Sequence, residues 1–137
     1  MPTVTQSTTD LIAAVVKGNS VVIARHLKAG ADANAETSTG NTVLHVAALS
    51  GSADVLGLLI KHGAEVDSRD NYGKTPLHCA VRYGHEEAAK LLIAKGASVN
   101  AKAKNGSFPL DWAIKFEQQQ VADLLRLSGG ETGQALK

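Results

Sequence analysis

A single cysteine, Cys79, stands among 137 residues, which excludes an intramolecular disulfide framework and a cysteine-based zinc site. Charge of either sign hardly exceeds the other: 14 Lys and Arg face 13 Asp and Glu, a formal net charge of +1. A chain so balanced has no global field to gather a polyanion, so composition gives no support to non-specific nucleic-acid binding, although a local basic patch stays open. No apolar run approaches the roughly 18 residues that a membrane-spanning helix needs. The stretch from Met1 to Thr9 has neither the basic start nor the apolar segment of a secretory signal. These absences predict a soluble, cytoplasmic protein that makes no membrane contact, with delivery to another compartment left open. Aromatic residues are scarce too, at 4% of the chain.

Glycine, in contrast, is present in register. Ten of the 13 glycines fall into three series: Gly18, Gly51 and Gly84; Gly30, Gly63, Gly96 and Gly129; Gly40, Gly73 and Gly106. Every step is 33 residues, and the same step links Leu11, Leu44, Leu77 and Leu110, and Ala14, Ala47, Ala80 and Ala113. Three four-fold identical columns have a chance probability of about 10⁻⁹, and about 10⁻⁴ after allowing for the choice of columns and period.

Each position in this unit has a physical use. Thr75 followed by Pro76 starts a helix: a hydroxyl caps the first free amides, and the next residue has its φ preset and no amide to waste. Leu77, Ala80 and Val81 share one face of that helix. Gly84 ends it, and the column Asn19, Ser52, His85 and Gln118 opens a second helix, with Asn19 and Ser52 suited to capping. The second helices read Val55, Leu58 and Leu59, then Ala88, Leu91 and Leu92, then Val121, Leu124 and Leu125, at i, i+3 and i+4. Gly30, Gly63, Gly96 and Gly129 close them. The polar segments 66–74 and 99–107, each turning at a glycine, suit projecting hairpin loops. Two short helices cannot bury both apolar faces alone, so neighbouring units must stack into a solenoid.

Thr75-Pro76-Leu77-His78-Cys79-Ala80, inside a 33-residue period, resembles the T-P-L-H-x-A string of the ankyrin repeat. The resemblance runs on through Gly84-His85, Leu91-Leu92-Ile93 and Gly96-Ala97-Ser98-Val99-Asn100. The second unit follows it with Val43 in place of proline. It implies an all-α ankyrin-repeat solenoid of helix-turn-helix units joined by projecting hairpin loops. The expected organisation is one domain over 1–137, with units at about 5–34, 35–67, 68–100 and 101–130 and a tail, frayed or loosely docked, at 131–137. The outer units read as caps and the array as complete. In the first, Asp10 and Ile12 replace proline and histidine, while Arg25 and His26 replace Leu58 and Leu59. In the fourth, Phe108, Asp111 and Glu117 replace threonine, histidine and glycine, and Arg126 takes the place of Ile60 and Ile93.

Catalytic and metal readings find little support. The resemblance gives His45 and His78, which share a column, a structural hydrogen-bonding role. His26, His62 and His85 form no His-Glu-x-x-His string. Cys79 lies in a column held otherwise by Ala13, Val46 and Trp112 and reads as a packed thiol. Ser128-Gly129-Gly130-Glu131-Thr132-Gly133 lacks the lysine, strand and helix of a phosphate loop, and no Gly-x-Ser-x-Gly elbow occurs. No enzyme, cofactor or metal is expected. Gly57, in the middle of a second helix, costs about 1 kcal/mol relative to alanine, with no function to explain it.

The projecting positions carry the functional reading. They are Glu36, Ser38, Thr39, Asn41, Leu49 and Ser50 in the second unit; Arg69, Asn71, Tyr72, Lys74, Arg82 and Tyr83 in the third; and Lys102, Lys104, Asn105, Ser107, Lys115 and Phe116 in the fourth. In the resembled family such positions form a concave face that grips partner proteins. All five aromatics, Tyr72, Tyr83, Phe108, Trp112 and Phe116, lie in the third and fourth units beside Arg69, Lys74, Arg82, Lys102, Lys104 and Lys115. Aromatics and arginine are enriched at binding hot spots. Phe108 and Trp112 are expected to cover the exposed end of the core instead. The chain therefore reads as a monomeric, non-catalytic protein-binding module whose partner presents a surface of acidic or mixed character. The alternative is a nucleic-acid-binding accessory protein that uses the same basic and aromatic strip.

Overall fold

A computed structural model describes residues 4–37 and 40–133, with side chains from Thr8 onward; Ser38, Thr39 and residues 134–137 lie outside the described residues. Eight helices form among them: α1 (Val4–Lys17), α2 (Ser20–Lys28), α3 (Val43–Ser50), α4 (Ala53–Lys61), α5 (Pro76–Arg82), α6 (Glu86–Ala94), α7 (Pro109–Lys115) and α8 (Gln119–Leu127). They alternate between two rows. The first helices of each pair stack as α1, α3, α5 and α7, and the second helices as α2, α4, α6 and α8. The core runs continuously between the rows, from Leu11 and Ile23 through Leu44, Leu56, Leu77 and Leu92 to Leu125, all fully buried.

Local chemistry sets the helix ends. Thr42 and Thr75 cap α3 and α5, each accepting the backbone N–H three residues on. At the same position of α7, Phe108 offers no acceptor; only the reciprocal half survives, with Asp111 Oδ2 accepting the Phe108 N–H at 2.8 Å. α1 has neither proline nor histidine in these columns and begins at Val4, well upstream of Thr9, so it is twice as long as α5, at 14 residues against 7. All ten periodic glycines have positive φ, between 70° and 98°.

Several expectations need correction. Asn19 caps α2 through Val22 N–H at 3.2 Å, but Ser52 makes no capping bond to α4. The fully buried faces of the second helices are Val55, Leu56 and Leu59, then Ala88, Ala89 and Leu92, then Val121, Ala122 and Leu125, while Leu58, Leu91 and Leu124 are only partly buried. The second-helix face is thus rotated towards i, i+1 and i+4, because each helix must touch both its own partner and the next second helix. Each loop turns back on a pair of short-range backbone bonds, Thr37 N–H to Asn41 O with Gly40 N–H to Thr37 O, Asp70 N–H to Lys74 O with Gly73 N–H to Asp70 O, and Ala103 N–H to Ser107 O with Gly106 N–H to Ala103 O. Among the described residues one isolated bridge, Glu36 to Thr42, stands in place of a paired hairpin. The start of the tail is held: Glu131 N–H donates to Asn100 Oδ1 at 2.8 Å and Gly133 N–H to Asp111 Oδ2 at 2.9 Å.

Bonds between successive pairs repeat along the stack. His45 Nδ1 accepts the Thr42 N–H at 3.2 Å, which places the ring proton on Nε2, and that nitrogen donates to the Lys74 carbonyl at 2.7 Å. His78 does the same with Thr75 N–H at 3.1 Å and Ser107 O at 3.1 Å. Asn34, Asp67 and Asn100 accept the N–H of Glu65, Ser98 and Glu131 at 2.8–2.9 Å. His85 donates to Leu49 O at 2.9 Å and Gln118 to Arg82 O at 3.0 Å, so these two residues of the helix-opening column tie one unit to the one before it.

Candidate protein-binding face

The first helices expose one side that no other element among the described residues covers, and columns 33 residues apart build it: Val16, Leu49, Arg82 and Lys115 in one row, Val46 and Trp112 in the next, with Tyr83 and Phe116 beside them. Two regions adjoin on this side. Val16, Val46, Leu49, Ser50, Tyr83 and His85 line an apolar groove of about 570 Å³. Arg82, Asn105, Ser107, Asp111, Trp112, Lys115 and Phe116 line a cleft of about 360 Å³.

Rings and cations alternate across the second region. Lys74 Nζ lies 5.4 Å from the Tyr72 ring and 5.7 Å from the Trp112 ring. Trp112 meets Phe116 edge-on at 6.1 Å. The Arg82 guanidinium sits 5.1 Å from the Phe116 ring and 5.5 Å from the Tyr83 ring, and Lys115 Nζ reaches Phe116 at 5.6 Å. Each such cation–ring contact contributes about 0.5–1 kcal/mol at an exposed site and restricts the long side chain before a partner arrives, which lowers the ordering cost of binding.

The expected site residues divide by this geometry. Tyr72 is 71% exposed and Tyr83 53%, with Arg82, Lys102, Lys104, Asn105 and Lys115 also exposed and Phe116 half-buried. Asn71 is exposed on its loop, where its side chain crowds Gly40 of the preceding loop. Arg69 and Lys74 have structural work. Arg69 Nη1 donates to Gly73 O at 3.0 Å and to Lys102 O at 2.7 Å, joining two loop tips. Lys74 Nζ pairs at 3.6 Å with Asp70, whose buried carboxylate also accepts the N–H groups of Tyr72 and Lys74 at 2.9 Å. The same two tips join directly through Lys104 N–H to Tyr72 O at 3.0 Å; a Cβ on Gly73, at φ 75°, would stand 2.9 Å from that Lys104 nitrogen. The tips therefore present their side chains from a fixed backbone.

Phe108 is buried, at 4% exposure, and Trp112 packs partly buried against the hydrophobic core. Trp112 also lines the cleft, edge-on against His78 at 5.2 Å. Val16 and Val46 were missing from the sequence-based set, although the 33-residue step from Leu49 and from Trp112 points to both. The buried titratable groups are structural. Desolvation lowers the pKa of His45 and His78, and burial pushes the Cys79 thiol up to about 12, leaving it protonated at neutral pH.

Stacked helix pairs with a grooved, side-chain-rich row of first helices define a helical repeat protein of the surface-recognition kind. The chain belongs to the ankyrin-repeat family: a family model described as ankyrin repeats (3 copies) matches residues 11–103, and α7 and α8 continue the stack beyond the matched segment. No curated protein sequence matches the chain. Ankyrin repeats are generally protein–protein interaction modules and are typically non-catalytic. Among the described residues, no helix is long and apolar enough to cross a membrane.

Proposed function

We propose that this chain is a non-catalytic protein-binding module, acting as a monomer, whose third and fourth units, at about 68–100 and 101–130, grip a partner with an acidic surface. The observation that carries this reading is the alternation of cations and rings from Tyr72 and Lys74 through Trp112, Phe116 and Arg82 to Tyr83. Arginine and aromatic side chains, partly exposed and held in place, are the residue types that dominate binding energy. Asn71, Lys102, Lys104 and Asn105 extend the surface onto the loop tips, while Arg69 and Lys74 fix those tips from beneath. Both ring nitrogens of His45 and His78 are occupied by the fold and the Cys79 thiol is buried, which supports a binding rather than a catalytic role.

The test is capture of lysate proteins on the immobilised chain, identified by mass spectrometry. Alanine at Tyr72, Arg82 and Tyr83 together is expected to remove proteins that the wild type retains, with helical signal and melting temperature little changed. Alanine at Lys61 and Lys95, on the outer row, is expected to leave capture intact. Equal loss from both sets would refute the assignment of the face.

A further inference from the structure

We infer that the cleft between Arg82 and Lys115 seats a carboxylate side chain of a partner polypeptide, and that a neighbouring apolar side chain of the same segment enters the groove formed by Val16, Val46, Leu49 and Tyr83. The inference rests on the protein-binding reading and names the chemistry of the partner.

Charge complementarity carries the first half. Arg82 and Lys115, one 33-residue step apart, bring two cations onto a single ring, Phe116, at 5.1 and 5.6 Å. Neither forms an ion pair among the described residues. Asp111 is the one carboxylate lining the cleft, and its Oδ2 is committed to two backbone donors, Phe108 N–H at 2.8 Å and Gly133 N–H at 2.9 Å. Two like charges held over one ring repel, and an incoming carboxylate relieves that repulsion. The guanidinium offers it a planar fork, while the aromatic walls of Trp112 and Phe116 keep water from one side and so strengthen the pair.

The groove supplies the second half. It begins one residue along the chain, since Arg82 lines the cleft and Tyr83 the groove, with the guanidinium 5.5 Å from the Tyr83 ring. Its apolar members are unusually open, Val16 at 66% exposure and Leu49 at 37%. A segment with an acid beside an apolar residue satisfies both regions at once; a nucleic-acid strand would leave these aliphatic side chains in water.

The experiment selects short random peptides displayed on phage against the full chain, then measures the enriched peptides, fluorescently labelled, by anisotropy. Enriched peptides are expected to place Asp or Glu close to an apolar residue. Replacing that acid by its amide should weaken binding about ten- to hundredfold, the range for a hydrogen bond to a charged group. The Arg82→Gln, Lys115→Gln double variant should lose a similar factor with its melting curve unchanged, and the Lys61→Ala, Lys95→Ala double variant should lose none. Enrichment of basic or uncharged peptides overturns the inference, as do acidic peptides indifferent to Arg82 and Lys115; in either case binding itself persists and the protein-binding reading stands. No enriched peptide, together with no captured lysate protein, rejects both. A single-stranded oligonucleotide that outcompetes the selected peptides, and that the Arg82→Gln, Lys115→Gln variant no longer binds, gives the cleft to nucleic acid instead.

Discussion

Glu117 is the one non-glycine residue with positive φ among the described residues, at 56°. It occupies the position where Gly18, Gly51 and Gly84 turn the chain from a first helix into a second. A Cβ in this left-handed region clashes with its own backbone, whereas glycine is free there, so the turn between α7 and α8 is strained. Glu117→Gly is therefore expected to stabilise the chain by about 0.5–1 kcal/mol, the strain relieved being partly offset by the freedom glycine gives the unfolded chain. Urea unfolding reads it as a higher midpoint with unchanged slope. A midpoint at or below that of the wild type would show that the Glu117 side chain contributes more than its strain costs. This departure was legible in the sequence as a broken glycine column. The work of His85 and Gln118 was not. Their side chains bond carbonyls 36 residues back, at Leu49 and Arg82, and nothing within their own unit records that partner.

At the scale of the helix, the first of each pair was readable and the second only half so. Thr75, Pro76 and Leu77 carry a cap, a start and a buried face in three residues, and α5 begins where they put it. The second helices touch two neighbours, which widens their buried face to include Leu56, Ala89 and Ala122 in a column that one-sided periodicity passes over. Helix α1 starts upstream because no local signal stops it. Helix α4 also carries Gly57, for which the structure gives no special use: its φ is not left-handed, and an added Cβ would find only Leu91 Cδ2, at an ordinary 3.9 Å, beside a groove lined by Ile60 and Leu91. Gly57→Ala is thus expected to raise stability by about 1 kcal/mol, the propensity difference in a helix interior, without strain. Thermal unfolding followed by circular dichroism checks it. A lower melting temperature would mean that the groove between α4 and α6 needs the open backbone.

Over the whole molecule, stability and binding meet at the junctions between pairs. His45 joins the second unit to the third and His78 the third to the fourth, while Ile12 leaves the first junction without this bond. In both rings Nδ1 must stay unprotonated to accept the threonine N–H, and desolvation lowers the pKa of each below the ordinary 6.5. A folded-state pKa below the unfolded one means that the unfolded chain binds protons first, so stability is fully present above about pH 6.5 and declines as pH falls towards the folded-state values. Protonation would set an Nδ1–H against the backbone N–H of Thr42 or Thr75 at the starts of α3 and α5, the latter the helix that ends in Arg82, while the Nε2 bonds across the junctions stay in place. Urea midpoints measured from about pH 8 to pH 5 are accordingly expected to drop on the acid side of neutrality. The His45→Gln, His78→Gln variant is expected to be less stable throughout and to show a shallower drop, since the groups that take up the protons are gone. A slope equal to that of the wild type would move the acid sensitivity to other groups. Because α5 carries Arg82 into the cation–ring strip, any loss of the selected acidic peptides in that pH range should likewise be shallower in the glutamine variant than in the wild type.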